Sequence, residues 1–331
     1  MVAKTDNLKD ELIAQAKKLG ADEVRIVNIE AYEKFVPTNA KPSYLAQGMK
    51  SIVVFYKHLL TGAAIMRDVT TQAGNSHLAL DFGEEYSFYL GEWLEDKGYV
   101  AVPLSPEYAD LDIKPTGAGL LDLKWTAEFC GLGHVGLNLN FLSAEYGSRV
   151  YIVALLTDAE LEPDTPLEKA LCPGMSCGRC AVVCPPKAIP LEAKLEQTVT
   201  DYRNLDQKLC STSAMRISVR SLFNIVFKLK SAKKALDVDQ ILDNPYWRDY
   251  WIATNSKRGA FAACFECMYV CPVGKVDIKR IMSTPYRKFD IPAGSMKHTR
   301  EDGMHRLTYI GPPKDRDPEY MRDRDFDDAV K

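Results

Sequence analysis

The amino-acid sequence predicts an α/β (α+β) domain followed by a smaller module built around metal-bound cysteines. Three observations carry that expectation. Apolar residues alternate between helical and strand spacing through the first half of the chain, prolines from Pro163 to Pro190 break regular elements after it, and eight of the nine cysteines lie beyond Leu171. A chain of 331 residues is long enough for two cores. An apolar fraction of 46% and a charged fraction of 26% fit a folded globular protein, and the net charge of -3 gives no electrostatic reason to expect nucleic acid, which composition therefore disfavours as a partner. No apolar run is long enough to span a membrane, and Met1 to Lys4 leads into a charged amphipathic pattern without an apolar signal core. The expectation is a cytoplasmic protein with no membrane partner, where nine cysteines are better explained by metal than by disulfides.

The elements follow in order. Leu8, Leu12, Ile13, Ala16 and Leu19 recur at helical spacing and stop at Gly20, and Val24 to Val27 read as a strand. Pro37 to Gln47 has loop composition, and Ser51 to Tyr56 forms a second apolar strand. Phe82, Tyr86, Tyr89, Leu90, Trp93 and Leu94 line a long helix ending at Gly98, followed by strand candidates at Tyr99 to Pro103 and Val150 to Leu156. These runs place the α/β core at 1–165, the cysteine module at 166–285, and a polar, extended C-terminal segment at 286–331.

The cysteines carry the chemistry. One motif reads Cys172-x4-Cys177-x2-Cys180-x3-Cys184-Pro185, the other Cys264-x2-Cys267-x3-Cys271-Pro272. Both end in C-x2-C-x3-C-P, the spacing of two-cluster bacterial ferredoxins, in which the last cysteine ligates the neighbouring cubane. Two [4Fe-4S] clusters need eight thiolates; the motifs supply seven, and Cys210 is the one cysteine between them. Crossed wiring assigns Cys172, Cys177, Cys180 and Cys271 to one cluster and Cys184, Cys210, Cys264 and Cys267 to the other. Cys130 is left as a packed thiol. A pair of zinc knuckles is the alternative, but zinc sites have no need of the closing Cys-Pro turn.

Ahead of the cysteines, Gly131, Gly133 and Gly136 have the spacing G-x-G-x-x-G. A dinucleotide site needs a strand before them, whereas Trp125 to Cys130 reads as helix. Glycine also lets backbone approach a large flat ligand closely, which is the preferred reading. This segment, with Asn138, Tyr146-Gly147-Ser148-Arg149-Val150, Leu156-Thr157-Asp158, Lys50 to Val54, the first cysteine motif and the isolated Cys210, resembles the epoxyqueuosine reductase and reductive dehalogenase superfamily over about Pro42 to Pro272. The resemblance implies a nitroreductase-like core binding base-off cobalamin, followed by a ferredoxin-like module with two [4Fe-4S] clusters that pass electrons to cobalt. It implies cofactor contacts at Gly131, Leu132, Gly133, Gly136, Asn138, Gly147, Ser148 and Thr157, and a low-potential donor such as ferredoxin or flavodoxin.

The sequence departs from the family at two points of chemistry. Gly117 stands where epoxyqueuosine reductases carry an Asp, and Leu137 where a basic residue is usual. The expectation is therefore a small organic substrate rather than epoxyqueuosine in tRNA. Reduction at cobalt needs a proton source. Tyr86, Tyr89 and His134 are the candidate catalytic residues, with His77 and Tyr99 behind them. The basic stretch Arg216 to Lys230 and the aromatic group Tyr246, Trp247, Tyr250 and Trp251 read as covers over the clusters. Two alternatives stay open: a flavin in place of cobalamin, and an electron carrier or corrinoid-reactivating protein with no substrate of its own.

Overall fold

The computed structural model describes residues 7–36, 41–66, 69–104, 121–190, 205–214, 225–226, 229–230, 264–283, 295–301 and 304–310. Gly117, nearly all of the 216–230 stretch and the 246–251 aromatic group lie outside them. Helix α1 (Leu8–Leu19) has Asp10 and Glu11 in its first turn and Lys17 and Lys18 in its last, each charge complementing the helix dipole. It ends at Gly20, whose left-handed backbone (φ +118°) lets its N–H reach the carbonyls of Ala16 and Lys17. Strand β1 (Glu23–Asn28) leads into α2 (Ile29–Phe35), capped by the Asn28 side chain, which accepts from the Ala31 N–H.

Strand β2 (Ser51–His58) follows, then α3 (Thr61–Met66), the long α4 (Val69–Asp96) and β3 (Ala101–Leu104). The glycine segment is flanked by α5 (Leu123–Phe129) and the short strands β4 (His134–Val135) and β5 (Phe141–Leu142), before β6 (Val150–Thr157). The main sheet has the order β1-β2-β6-β3, with every neighbouring pair antiparallel. The protein is thus a mixed α/β fold whose helix and strand alternation produces no parallel crossover within this sheet.

Side chains alternate across the sheet and both faces are dry. Val53, Phe55, Val153 and Leu155 meet Leu12 and Ala16 of α1 and Leu90 and Leu94 of α4. Ile52, Val54, Tyr56, Ile152, Ala154 and Leu156 meet Tyr32, Trp125, Leu132, Val135 and Phe141 on the other face. Central strands buried on both sides explain the near-continuous apolar runs in β2 and β6. Each such Val, Leu, Ile or Phe side chain contributes roughly 1.5–3 kcal/mol.

Beyond β6 the chain is tied down before the cysteines begin. The Ser51 hydroxyl donates to Ala159 O (2.8 Å) and accepts from Leu161 N–H (3.1 Å). Asp164 accepts from Ile26 N–H and from Lys9 Nζ, both at 2.8 Å. The C-terminal segment departs from the extended chain that its polarity predicts. Residues Ser295–Glu301 and Met304–Ile310 form an antiparallel hairpin, β7 and β8, separated in sequence by Asp302-Gly303, a dipeptide favoured in two-residue hairpin turns.

Candidate metal centre

Gly174 (φ +63°) and Gly178 (φ +54°) turn the first cysteine segment sharply twice, and α6 (Arg179–Val183) opens directly after the second turn. Cys172, Cys177 and Cys180 consequently line one pocket, completed from the second segment by Cys271, Pro272 and Val273. Leu137 and Leu142 form an apolar part of its wall. The Gly174 N–H donates to Cys172 Sγ at 3.4 Å. Burial pushes the Cys180 thiol up to about 11, and charge on Cys172, Cys271 and Cys177 adds to the rise.

The remaining motif cysteines gather next to it. Cys184, Cys210 of α7 (Gln207–Ala214) and Cys267 pack with Leu137, Ala181, Ala188 and Ile189. Cys210 is pushed up by burial and then by Cys264 and Cys184. Cys267 rises to about 12 by burial, with Cys264 the next cause. The Ala188 N–H donates to Cys184 Sγ at 3.2 Å, and Asn140 Nδ2 to Cys267 Sγ at 3.6 Å.

Among the described residues, no three His, Cys, Asp or Glu side chains meet at a single ion position. Zinc needs four sulfurs about 2.3 Å from one point. Cys172, Cys177, Cys180 and Cys271 instead surround a pocket, with the Gly174 N–H aimed at Cys172 Sγ and no carboxylate among the lining residues. That donor set fits a cubane cluster.

The core grips the second cysteine segment directly. Asn138 Nδ2 donates to Cys267 O (3.3 Å) and Ser148 Oγ to Met268 O (2.8 Å). Arg149 donates from Nη1 to Cys271 O (3.1 Å) and from Nη2 to Val273 O (2.8 Å). Gly147 (φ +59°) and Gly274 (φ +88°) cross back to back: a Cβ on Gly147 would stand 2.1 Å from Val273 O, and one on Gly274 2.5 Å from Gly147 N.

The glycine segment packs closely against the chain itself. A Cβ at Gly131 would meet Thr165 O at 2.2 Å, one at Gly133 Leu142 O at 2.2 Å, and one at Gly136 the Leu142 side chain at 2.9 Å. The close approach is to the chain's own backbone and core. Leu132 is buried in the core, and Thr157 Oγ1 is buried in the sheet, accepting from Ala159 N–H. Asn138, Gly147 and Ser148 face the second cysteine segment. On the side where a Cβ would stand, Gly131, Gly133, Gly136 and Gly147 are thus packed against the chain's own atoms.

The three candidate catalytic residues are not brought together. Tyr86 packs in the core between the sheet and α1, its ring lying over Gly20, because helical spacing sets it on the same stripe as Leu90 and Leu94. Tyr89 is exposed on α4, its hydroxyl 3.3 Å from Glu85 Oε1. Neither lines the cysteine pocket. His134 lies in the glycine segment beyond the opposite face of the sheet, with Nδ1 3.4 Å from Glu128 Oε2 and a buried Nε2 that has no hydrogen-bond partner among the described residues. Glu128 also accepts from Val135 N–H. Sequence reasoning passed over Arg149, Asn140 and Gly274; the Gly147-Ser148-Arg149 string beside a strand was the available signal for the first.

No family model matches the chain. It is 26% identical over 206 residues to an epoxyqueuosine reductase of Bacillus subtilis, covering 55% of this chain and 51% of that protein. It is 23% identical over 208 residues to the one from Bacillus anthracis, covering 56% and 53%. The chain thus spans about half the length of the curated relatives it matches. Among solved structures, a selenomethionine-labelled epoxyqueuosine reductase superposes with a TM-score of 0.49 at 20% identity, covering 82% of this chain and 66% of that one. A reductive dehalogenase, whose structure suggests a mechanism for B12-dependent dehalogenation, gives 0.45 at 20%, covering 57% and 26%.

One further epoxyqueuosine reductase structure contains an epoxyqueuosine-modified tRNA-Tyr stem loop (TM-score 0.48, 19% identity, 84% and 69% covered). The expectation of a small-molecule substrate with nucleic acid disfavoured is corrected by these relatives. It rested on a net charge summed over the whole chain, which is blind to where charges lie, and on two single-residue departures. Among the described residues no helix is long and apolar enough to cross a membrane. By sequence the chain is a relative of the epoxyqueuosine reductases, the family that its glycine and cysteine segments resemble.

Proposed function

We propose that the chain is a cobalamin-type iron–sulfur reductase that binds two [4Fe-4S] clusters, one on Cys172, Cys177, Cys180 and Cys271 and the other on Cys184, Cys210, Cys264 and Cys267. The observation that carries this reading is the pocket lined by three thiols of the first motif and one of the second. Bound there, the clusters supply one-electron transfer at low potential. The chain's own part is to hold and shield: N–H groups of Gly174 and Ala188 orient sulfur, while Leu137 and Leu142 keep water from the pocket wall. Electrons come from a carrier such as ferredoxin or flavodoxin. The corrin-type reading is supported by the epoxyqueuosine reductase relatives, and the segment from Gly131 to Asn138 with Gly147, Ser148 and Thr157 remains its proposed seat. The relatives' name supplies the substrate class, epoxyqueuosine.

Anaerobic reconstitution with iron, sulfide and hydroxocobalamin tests the reading. The expected result is about eight irons per chain, two interacting cluster signals in electron paramagnetic resonance, and a retained corrinoid. A Cys210→Ala variant is expected to lose about half of the iron. Incubation of the reduced, loaded protein with tRNA carrying epoxyqueuosine is expected to yield queuosine. Zinc in place of iron, or a flavin extracted in place of corrinoid, overturns the cofactor assignment; a loaded protein inert towards that tRNA overturns the substrate.

A further inference from the structure

Arg149 is 3% exposed, and among the described residues no carboxylate pairs with it. A guanidinium held away from water without a counter-charge is strongly unfavourable, so proteins seldom keep one without a reason. Two of its guanidinium nitrogens donate to carbonyls, and both carbonyls belong to residues that line the cysteine pocket, Cys271 and Val273. The cation therefore lies immediately behind the pocket wall. Ser148, next in sequence, anchors Met268 O, and the Gly147 and Gly274 crossing holds the backbone that carries the guanidinium against the segment it serves. The side chain has no freedom to turn towards solvent.

We infer that Arg149 is the built-in counter-charge of the cluster held by Cys172, Cys177, Cys180 and Cys271, and that it sets that cluster's reduction potential above the potential it would have behind a neutral wall. The inference rests on the proposed cluster ligation. An iron-bound cysteine is a thiolate, and the cubane with its four thiolates gains one further negative charge when an electron enters it. A fixed cation close by in a medium of low dielectric favours the more negative, reduced form. The two forked hydrogen bonds also hold the Cys271 carbonyl, so Arg149 is a positioning residue with an electrostatic role, and the two roles make different predictions.

The test uses the reconstituted full chain in a mediated dithionite titration, followed by electron paramagnetic resonance, with iron and sulfide measured on every sample. Arg149→Gln keeps donors for the carbonyls but removes the charge; Arg149→Lys keeps the charge with a poorer fork. One of the two clusters is expected to be at least tenfold harder to reduce in Arg149→Gln, about 59 mV for one electron. The other cluster is expected to move less, and Arg149→Lys to stay near the wild type. Equal potentials in wild type and Arg149→Gln overturn the inference, as does loss of a cluster from both variants, which leaves Arg149 a latch and nothing more. A wild-type chain that takes up no iron strikes instead at the ligation on which the inference depends.

Discussion

At the scale of single residues, what a sulfur lies beside separates chemistry from packing: Cys130 sits among apolar side chains of the core, the pocket cysteines beside one another. Cys130 is fully buried, its thiol donates to Ala127 O at 3.4 Å, and burial pushes its pKa up to about 12 from an ordinary 9.0. The folded chain holds this proton where the unfolded chain gives it up. The resulting stability is complete below about pH 9 and is lost as pH rises through about 12, by on the order of a few kcal/mol. Tyr56, raised to about 12 chiefly by burial, adds a loss of the same sign. Urea unfolding at pH 7, 9 and 11 is expected to show the decline, with a smaller one in Cys130→Ala. That variant is expected to lose about 1 kcal/mol at pH 7 and to keep its full iron content, since Cys130 belongs to the core and not to the pocket.

At the scale of elements, the junction between β6 and the second cysteine segment is made by backbones that touch. Gly147 combines a left-handed φ of +59° with a carbonyl 2.1 Å from where a Cβ would stand. Ala at this position carries both a conformational cost and an overlap that the neighbouring backbone must absorb, together about 2–4 kcal/mol. Gly147→Ala is expected to displace residues 268–275 and to retain about half of the iron or less after desalting. Gly48 is a matched control: its φ is +83°, but nothing lies within 4 Å of the added atom. Gly48→Ala is expected to cost about 1 kcal/mol and to leave iron unchanged. Should the two variants retain equal iron, the close crossing at Gly147 does not hold the segment in place.

At the scale of the whole molecule, three of the four buried clusters among the described residues differ in what they are made of. The two that flank the sheet are built from Val, Ile, Leu and aromatic side chains and owe nothing to metal. The third has Leu137, Ala181, Ala188 and Ile189 as its buried apolar members besides Cys184, with further cysteines packed around them, too little apolar surface to stand by itself. Stripping the clusters by chelation under oxidising conditions is therefore expected to leave the sheet folded and to loosen the cysteine segments. Hydrogen exchange checks this: amides of β2 and β6 are expected to stay protected, while those of Cys177, Ala181, Tyr269 and Val270 exchange quickly. Uniform protection with and without iron contradicts a metal-dependent module.

The sequence by itself determined the strands at 24–27, 51–56 and 150–156 and the helix from Leu8 to Leu19, because these runs are long, strictly patterned and bounded by glycine or polar residues. It also determined which residues could ligate metal, since cysteine spacing is a local property. Tertiary structure decided the rest. That Tyr86 packs toward α1 while His134 lies beyond the other face follows from which face of the sheet each element covers, and no local pattern encodes that. The glycines show the same limit: spacing reveals that backbone comes close to something, and only the fold reveals that the something is Thr165, Leu142 and Val273 of the same chain. The role of Arg149 is invisible in the sequence for the same reason, because a buried cation looks like any other arginine until the carbonyls of Cys271 and Val273 stand in front of it.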